Sequence, residues 1–401
     1  MSRSRLSSAA ACLVAIALVS GAAAACGSKG SGPATPVRPS APAWPNPSPT
    51  ATTTPPPTST SPSLAPVASA PAGFRAASVT FVSLDQAFVL GTAPGHGAVL
   101  LGTRDRGQTW ARLAAPVVGL GRPDATGSKV WGTRFATPSH GFIFGRGLWE
   151  TVDGGAHWSH AAAPGGAILS LATIRGHVLA LVQAGPSSST VTLVRRDLSG
   201  GRWVTVHALP ATGSTDPTDL ISTQAGTAAI LNGGGGVLVT RDGGASWTGY
   251  AVPGTSILAP AAVAATSPAT LAVLDAGNGA AGSMQKLVYT SANTGKSWAK
   301  AGAPGLGGDP VAIAGGSPTT LLVAAASGAS EIYRSSDGGH TWRTAIAYGD
   351  GGMGWADLGF TSATHAVVVH GPADASGNTD GRPGRLLLSS DGGATWQAVT
   401  F

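Results

Sequence analysis

Sixteen aspartates and two glutamates are the only acids in this 401-residue chain, so their placement limits the chemistry open to it. Glycoside hydrolysis needs two carboxylates facing each other across a sugar-wide groove. One segment groups acids with aromatic side chains: residues 348–357 hold Tyr348, Asp350, Trp355 and Asp357 among four glycines. Aromatic rings in such a loop suit sugar stacking or a protein hot spot. Aspartate among glycines is also ordinary turn chemistry, and both readings stand at this point. The nine histidines show no ligand-like clustering, and there is no CxxC, phosphate-binding loop or calcium loop, so no metal or cofactor is expected. The net charge of +6 comes from scattered Lys and Arg without a basic run, and no nucleic-acid partner is expected.

The elements that must position these residues are set by a repeat. Its clearest copies run Ser389 to Trp396 and Ser335 to Trp342, as Ser-Ser-Asp-Gly-Gly-x-Thr-Trp. Looser copies run Thr103 to Trp110, Thr151 to Trp158 and Thr240 to Trp247. Two are degraded: Asn293 replaces the acid before Trp298, and an extra residue separates Asp197 from Trp203. The acid or amide positions are thus Asp105, Asp153, Asp197, Asp242, Asn293, Asp337 and Asp391. Near-constant spacing of such a unit predicts a seven-bladed, all-β propeller of four-stranded antiparallel blades. The short acid can accept N–H groups of its own turn, glycine supplies positive φ, and the indole folds back over the strands.

The motif resembles the Asp-box (BNR) repeat of sialidases, xyloglucanases, sortilin-type receptors and photosystem II assembly factors. In those families it lies on the turn between a blade's third and fourth strands, away from the ligand. The resemblance therefore implies a structural role for the seven acids or amides and for Trp110, Trp158, Trp203, Trp247, Trp298, Trp342 and Trp396. Sialidase chemistry requires an Arg triad and a Tyr–Glu pair. Here Phe74 and Arg75 are followed by Ala76 and Ala77, and the two glutamates, Glu150 and Glu331, adjoin the motifs. Sialidase activity is not expected. In layout the chain is similar to the photosystem II assembly and stability factors, with one seven-bladed ring behind an export signal and no catalytic set.

Residues 1–25 read as a signal peptide: Arg3 and Arg5, an apolar core from Ala9 to Val19, then small residues up to Ala25. Cys26 follows at once, which resembles the bacterial lipobox and implies a lipid on Cys26. The position three before the Cys is Ala23 where that family prefers Leu, and Ala23-x-Ala25 also suits ordinary signal peptidase, giving a secreted protein. Residues 26–72 are rich in Pro, Ser and Thr, and their composition predicts a tether with no packed structure. The propeller is assigned to residues 73–401.

The sequence thus predicts a monomeric scaffold on the extracytoplasmic face of a bacterial membrane, binding a protein or glycan. A carbohydrate-active hydrolase is the alternative. The loops joining blades nominate Arg122, Asp124, Asp309, Tyr348, Asp350, Trp355 and Asp357 for ligand contact, and the long loop from Gly371 to Arg385 within the last blade adds Arg382. One outcome follows from the N-terminal reading: Cys26→Ser should abolish acyl labelling with a tritiated fatty acid, and unchanged labelling would rule out Cys26 as the lipid-bearing residue.

Overall fold

A computed structural model describes residues 68–401 except 122–127, 186, 187, 189, 211–220, 223–225, 233, 234, 255–259, 281 and 374–382. Cys26, the signal peptide, most of the tether, Arg122, Asp124 and Arg382 lie outside the described residues. The architecture is a seven-bladed β-propeller.

Blade one comprises Arg75–Phe81, Ala87–Thr92, Val99–Thr103 and Ala111–Leu113 from the axis outward. Ala68–Ser69 adds a fifth strand, antiparallel to the outer edge, with Ala68 opposite Arg112 and Ser69 opposite Ala111. Blade two starts at Lys129–Phe135, blade three at Ala167–Ile174, blade four at Ile221–Ser222 and blade five at Pro260–Ala265. Blade six starts at Asp309–Gly315 and blade seven at Trp355–Phe360. In blade six, one run from Leu321 to Ser335 supplies both middle strands. Its first half pairs with Asp309–Gly315 and its second half with Arg343–Gly351, and the chain turns at Gly328 with φ 68°.

Strand periodicity explains the ring. Alternate side chains of a strand point to opposite faces, and both faces of each blade are covered. In blade one, Val89 and Leu101 enter a layer shared with Val367 and Val369 of blade seven. Their neighbours Phe88, Leu90 and Leu100 enter the layer shared with Val130 and Ile143 of blade two. Among the described residues the buried apolar side chains form seven such layers, one between each successive pair of blades. Each fully buried Leu, Val or Phe contributes roughly 1.5–3 kcal/mol relative to exposure.

Closure is the layer between the last and first blades. The Phe401 ring meets Phe74 edge-on at 4.7 Å and Trp110 at 5.4 Å. The Ala76 N–H donates to the Gly384 carbonyl (2.8 Å), and the Ala373 N–H donates to the Ala76 carbonyl (2.9 Å). Among the described residues no strand is exchanged between the two blades.

The repeated eight-residue motif is a local clip. In blade four, the Asp242 carboxylate accepts the Ser246 N–H (2.9 Å), the Ser246 hydroxyl (2.5 Å) and the Thr240 hydroxyl (2.8 Å), while Thr240 Oγ accepts the Gly244 N–H (2.9 Å). Blade five keeps the clip with an amide: Asn293 Oδ1 accepts the Ser297 N–H (2.9 Å) and its Nδ2 donates to Ser297 Oγ (2.8 Å). The clip also ties two turns together, as when the Gly392 N–H donates to the Thr364 carbonyl (2.7 Å). Blade three departs from this pattern. Arg195 stands where the hydroxyl should be and donates to the Gly243 carbonyl of blade four (2.9 Å), and Asp197 pairs with His177 on the adjacent strand (2.8 Å). Without the hydroxyl, the expected structural role of Asp197 becomes a cross-strand pair.

Hydrogen bonds from Ser246 and Thr240 hold the Asp242 carboxyl down at about 2. Its folded value lies below the unfolded one, so its stabilisation is present above pH 4 and is lost as pH falls towards 2. Asp242→Ala should cost about 1 kcal/mol at neutral pH, because the clip is open to water. Asp242→Asn should cost less, since Asn293 already builds the same turn. Trp110→Ala should cost about 3–5 kcal/mol by opening the closing layer. Urea unfolding checks all three, and an Asn variant weaker than the Ala variant would refute the clip geometry.

Candidate functional site at the loop end of the ring

Antiparallel four-stranded blades put two kinds of connection at opposite ends. The clips share one end with the turns between first and second strands. The connections between blades, and those between second and third strands, share the other, which is the loop end. Asp309, Tyr348, Asp350 and Trp355 all lie at this end, as the sequence suggested. Their settings differ from the loop that the sequence suggested.

Tyr348 and Asp350 belong to the outer strand Arg343–Gly351 of blade six, so they are not in the inter-blade loop. Trp355 is the first residue of blade seven's inner strand, is only 3 % exposed, and its indole N–H donates to the Ala325 carbonyl (3.0 Å). It is a core residue and presents no open ring to a ligand. Its ring lies 4.7 Å from His370, which sequence reasoning passed over as a strand residue; Tyr348 lies 4.5 Å from the same imidazole.

His370 is 3 % exposed. Burial pushes its basicity below the usual histidine range, outweighing the opposing pull of Asp350. The neutral ring donates Nε2–H to Asp350 Oδ2 (2.6 Å). Burial alone would raise the Asp350 carboxyl, but the Gly352 N–H (2.9 Å) and His370 hold it below the ordinary carboxylate value. Asp350 thus fixes the junction between blades six and seven.

Asp357 sits inside a two-residue bulge of the inner strand, where the register jumps between Ala356 and Gly359. Its φ is 50°, the left-handed region that a non-glycine residue occupies at a cost. The bulge turns its carboxylate off the sheet ladder. One oxygen accepts the Val79 N–H of blade one (2.8 Å) and the other pairs with Arg134 of blade two (2.6 Å). A single aspartate therefore joins the last blade to the first two. Arg134 carries no sequence signal of this role.

Asp309 opens blade six beside a buried cation, Lys286, which is 0 % exposed. The ammonium donates to three carbonyls, Met284 (2.9 Å), Leu306 (3.1 Å) and Gly308 (2.8 Å). Burial lowers its pKa to about 8 against the pull of Glu331 and Asp309. The Tyr333 hydroxyl donates to Glu331, with the Gly307 carbonyl 3.1 Å from the same oxygen. Burial and Glu331 together push its ionisation well above the usual tyrosine value. Gly307 leaves room for this carboxylate, since a Cβ there would lie 2.0 Å from Glu331 Oε2 and the Glu331 side chain would have to move. The connection 305–308 is thus folded inward through its carbonyls, and Leu306 is left outside, 63 % exposed. The other glutamate, Glu150, pairs with the buried Arg196 (2.7 Å) and with His140 (2.7 Å).

Of the acids singled out by the sequence, Asp309 and Asp350 lie at the loop end and Asp357 lies in the inner strand against blades one and two, and they do not meet in one groove. Asp350, Asp357, Glu150 and Glu331 each hold structural partners. No group of three or more metal-ligating side chains occurs among the described residues.

The fold defines a single-ring seven-bladed propeller. No family profile matches the chain, and no curated protein matches it. Solved structures are similar in fold. One is YCF48 bound to D1 peptide, at 18 % identity and a TM-score of 0.53, covering 80 % of this chain and 95 % of that one. Another is YCF48 from Cyanidioschyzon merolae, at 16 % identity and a TM-score of 0.51, covering 80 % and 94 %. A GH74 xyloglucanase from Xanthomonas campestris, at 14 % identity, covers 81 % of this chain and 72 % of that one with a TM-score of only 0.27, too low to carry an argument.

Two outcomes test the electrostatics. Asp357→Ala leaves Arg134 half-buried without its carboxylate and should cost about 3 kcal/mol, read by thermal unfolding. For Lys286, the unfolded chain holds its proton up to about 10.5 while the folded chain releases it near 8. The unfolded state binds more protons between those values, so stability should rise with pH from 8 to 10. Lys286→Met should remove that rise, measured as the urea midpoint at each pH.

Proposed function

We propose that the chain is a lipid-anchored binding or assembly scaffold on the extracytoplasmic face of a bacterial membrane, which holds an extended segment of a partner protein at the loop end of its ring. Residues 1–25 act as the signal, Cys26 carries the lipid, and residues 26–72 hold the Asp-box propeller off the membrane. The observation that carries the binding reading is the use made of the acids. At the loop end Asp350 and Glu331 hold structural partners and Asp357 ties the last blade to the first two, while Glu150 is paired with His140 and Arg196 towards the clip end. What the loop end offers outward is apolar and cationic: Leu306 is exposed between blades five and six, and Arg385 is exposed on blade seven. A ring of the same fold bears a peptide in the YCF48 complex, which supports a protein segment over a glycan as the ligand class. Interfaces draw their affinity from a few buried anchors, and Leu306 fits that part.

The test is a tiled array of 15-residue peptides probed with the purified full chain. Leu306→Asp combined with Arg385→Glu should weaken capture at least about tenfold, an interface-anchor effect of roughly 1.4 kcal/mol or more. Val152→Asp, at the clip end, should leave capture unchanged. The reverse pattern would place the binding face at the other end. Turnover of polymeric xyloglucan by the same protein would instead establish the hydrolase.

A further inference from the structure

The second and third strands of blade five, Leu271–Ala280 and Ser283–Ser291, pair irregularly near the loop end. Ala276 lies opposite Lys286 and Gly279 opposite Met284, so Gly277 and Asn278 together oppose Gln285 alone. Two residues against one is a β-bulge, and it takes backbone out of the ladder. Asn278 and Gly279 are both exposed. The Met284 N–H donates to the Leu306 carbonyl (3.0 Å), and the Met284 carbonyl accepts the Lys286 ammonium (2.9 Å). Both main-chain groups of Met284 thus point away from Gly279, which makes Gly279 and Met284 a pair of the non-hydrogen-bonded kind. The Gly279 N–H is therefore directed away from Ser283–Ser291 as well. On that far side the pairing with the inner strand Pro260–Ala265 begins only at Asp275, so among the described residues no strand takes up the Gly279 N–H.

The residue before this idle amide is an asparagine. The chain has five asparagines, and two of them, Asn232 and Asn278, precede a glycine. Glycine puts no side chain beside its own nitrogen and lets the backbone reach geometries closed to other residues. Asn232 is half-buried, its N–H donates to the Gly236 carbonyl (3.0 Å), and its Oδ1 is enclosed. Asn293 is held by Ser291 and Ser297 and precedes Thr294. Among the described residues, an open carboxamide next to an unengaged glycine amide occurs at Asn278 alone.

We propose that Asn278–Gly279 is a site of spontaneous self-modification, with water as the co-reactant. The Gly279 nitrogen attacks Cγ of Asn278 and closes a succinimide ring. The Cγ–Nδ2 bond breaks, and the Gly279 proton leaves with that nitrogen as ammonia. Water then opens the ring at either carbonyl, giving aspartate or isoaspartate, with no change of oxidation state. Holding nucleophile and carbonyl adjacent and unhindered is what speeds such an intramolecular step. The isoaspartate product carries one more methylene in the main chain and a new carboxylate at the surface. It arises directly opposite Met284, whose N–H holds the Leu306 carbonyl, so ageing loosens the connection 305–308. That consequence reaches partner capture only through the role proposed above for Leu306, whereas the chemistry at Asn278 stands apart from it.

The test is ageing of the purified full chain in warm, mildly alkaline buffer. Isoaspartate is located by peptide mapping after labelling with isoaspartyl methyltransferase and tritiated S-adenosylmethionine. In the folded chain it should accumulate at position 278 at least about tenfold faster than at position 232, a barrier difference of about 1.4 kcal/mol. In concentrated urea the two rates should converge, since both asparagines precede glycine. Asn278→Gln should abolish the signal at that position. Gly279→Ala should slow it at least about tenfold by shielding the nitrogen; its Cβ meets only the flexible end of Met284 at 3.2 Å, so the fold is kept. Equal folded-state rates at the two asparagines, or no isoaspartate at position 278, would overturn the proposal. Hydrogen exchange in residues 303–308 should quicken in the aged chain and not in aged Asn278→Gln, and unchanged exchange would overturn the coupling to Leu306.

Discussion

Everything in this ring depends on the apolar layer between neighbouring blades. Each blade is a twisted sheet with two faces, and neither face can meet water without exposing Val, Leu, Ile or Phe. Val89 and Leu101 face blade seven while Phe88, Leu90 and Leu100 face blade two. Two-sided burial cannot end at an open edge of the array. Seven layers close it, and the seventh joins Val367 and Val369 to the first blade. The rings of Phe401, Phe74 and Trp110 complete that layer directly.

Charges buried at the junctions follow from the same constraint. A carboxylate between packed sheets must find partners or pay a large desolvation cost. Asp357 finds Val79 and Arg134, Asp350 finds His370 and Gly352, and Glu150 finds Arg196 and His140. Lys286 finds three carbonyls. These pairs fix the relative placement of blades where apolar packing, being non-directional, specifies less.

Local chemistry was legible in the sequence, and distant chemistry was not. The clip around Asp242 uses partners within four residues, so its pattern predicted its hydrogen bonds and its repetition predicted the blade count. The same logic failed at Asp197, where Arg195 removes the hydroxyl and the acid turns to His177 on the next strand. Trp355 and Asp350 look like a ligand loop because glycines surround them, yet the glycines serve the turn and the large side chains serve the core.

What the sequence alone determined was the architecture: period-two apolar strands, seven turn motifs and a spacing that only a ring of blades accommodates. What the tertiary structure decided was the work of each polar side chain. Asp357 bonds to a residue 278 positions away, and His370 is defined by rings and a carboxylate on other strands. Such partners meet only when blades are stacked, and a pattern read along the chain holds no record of which faces will touch.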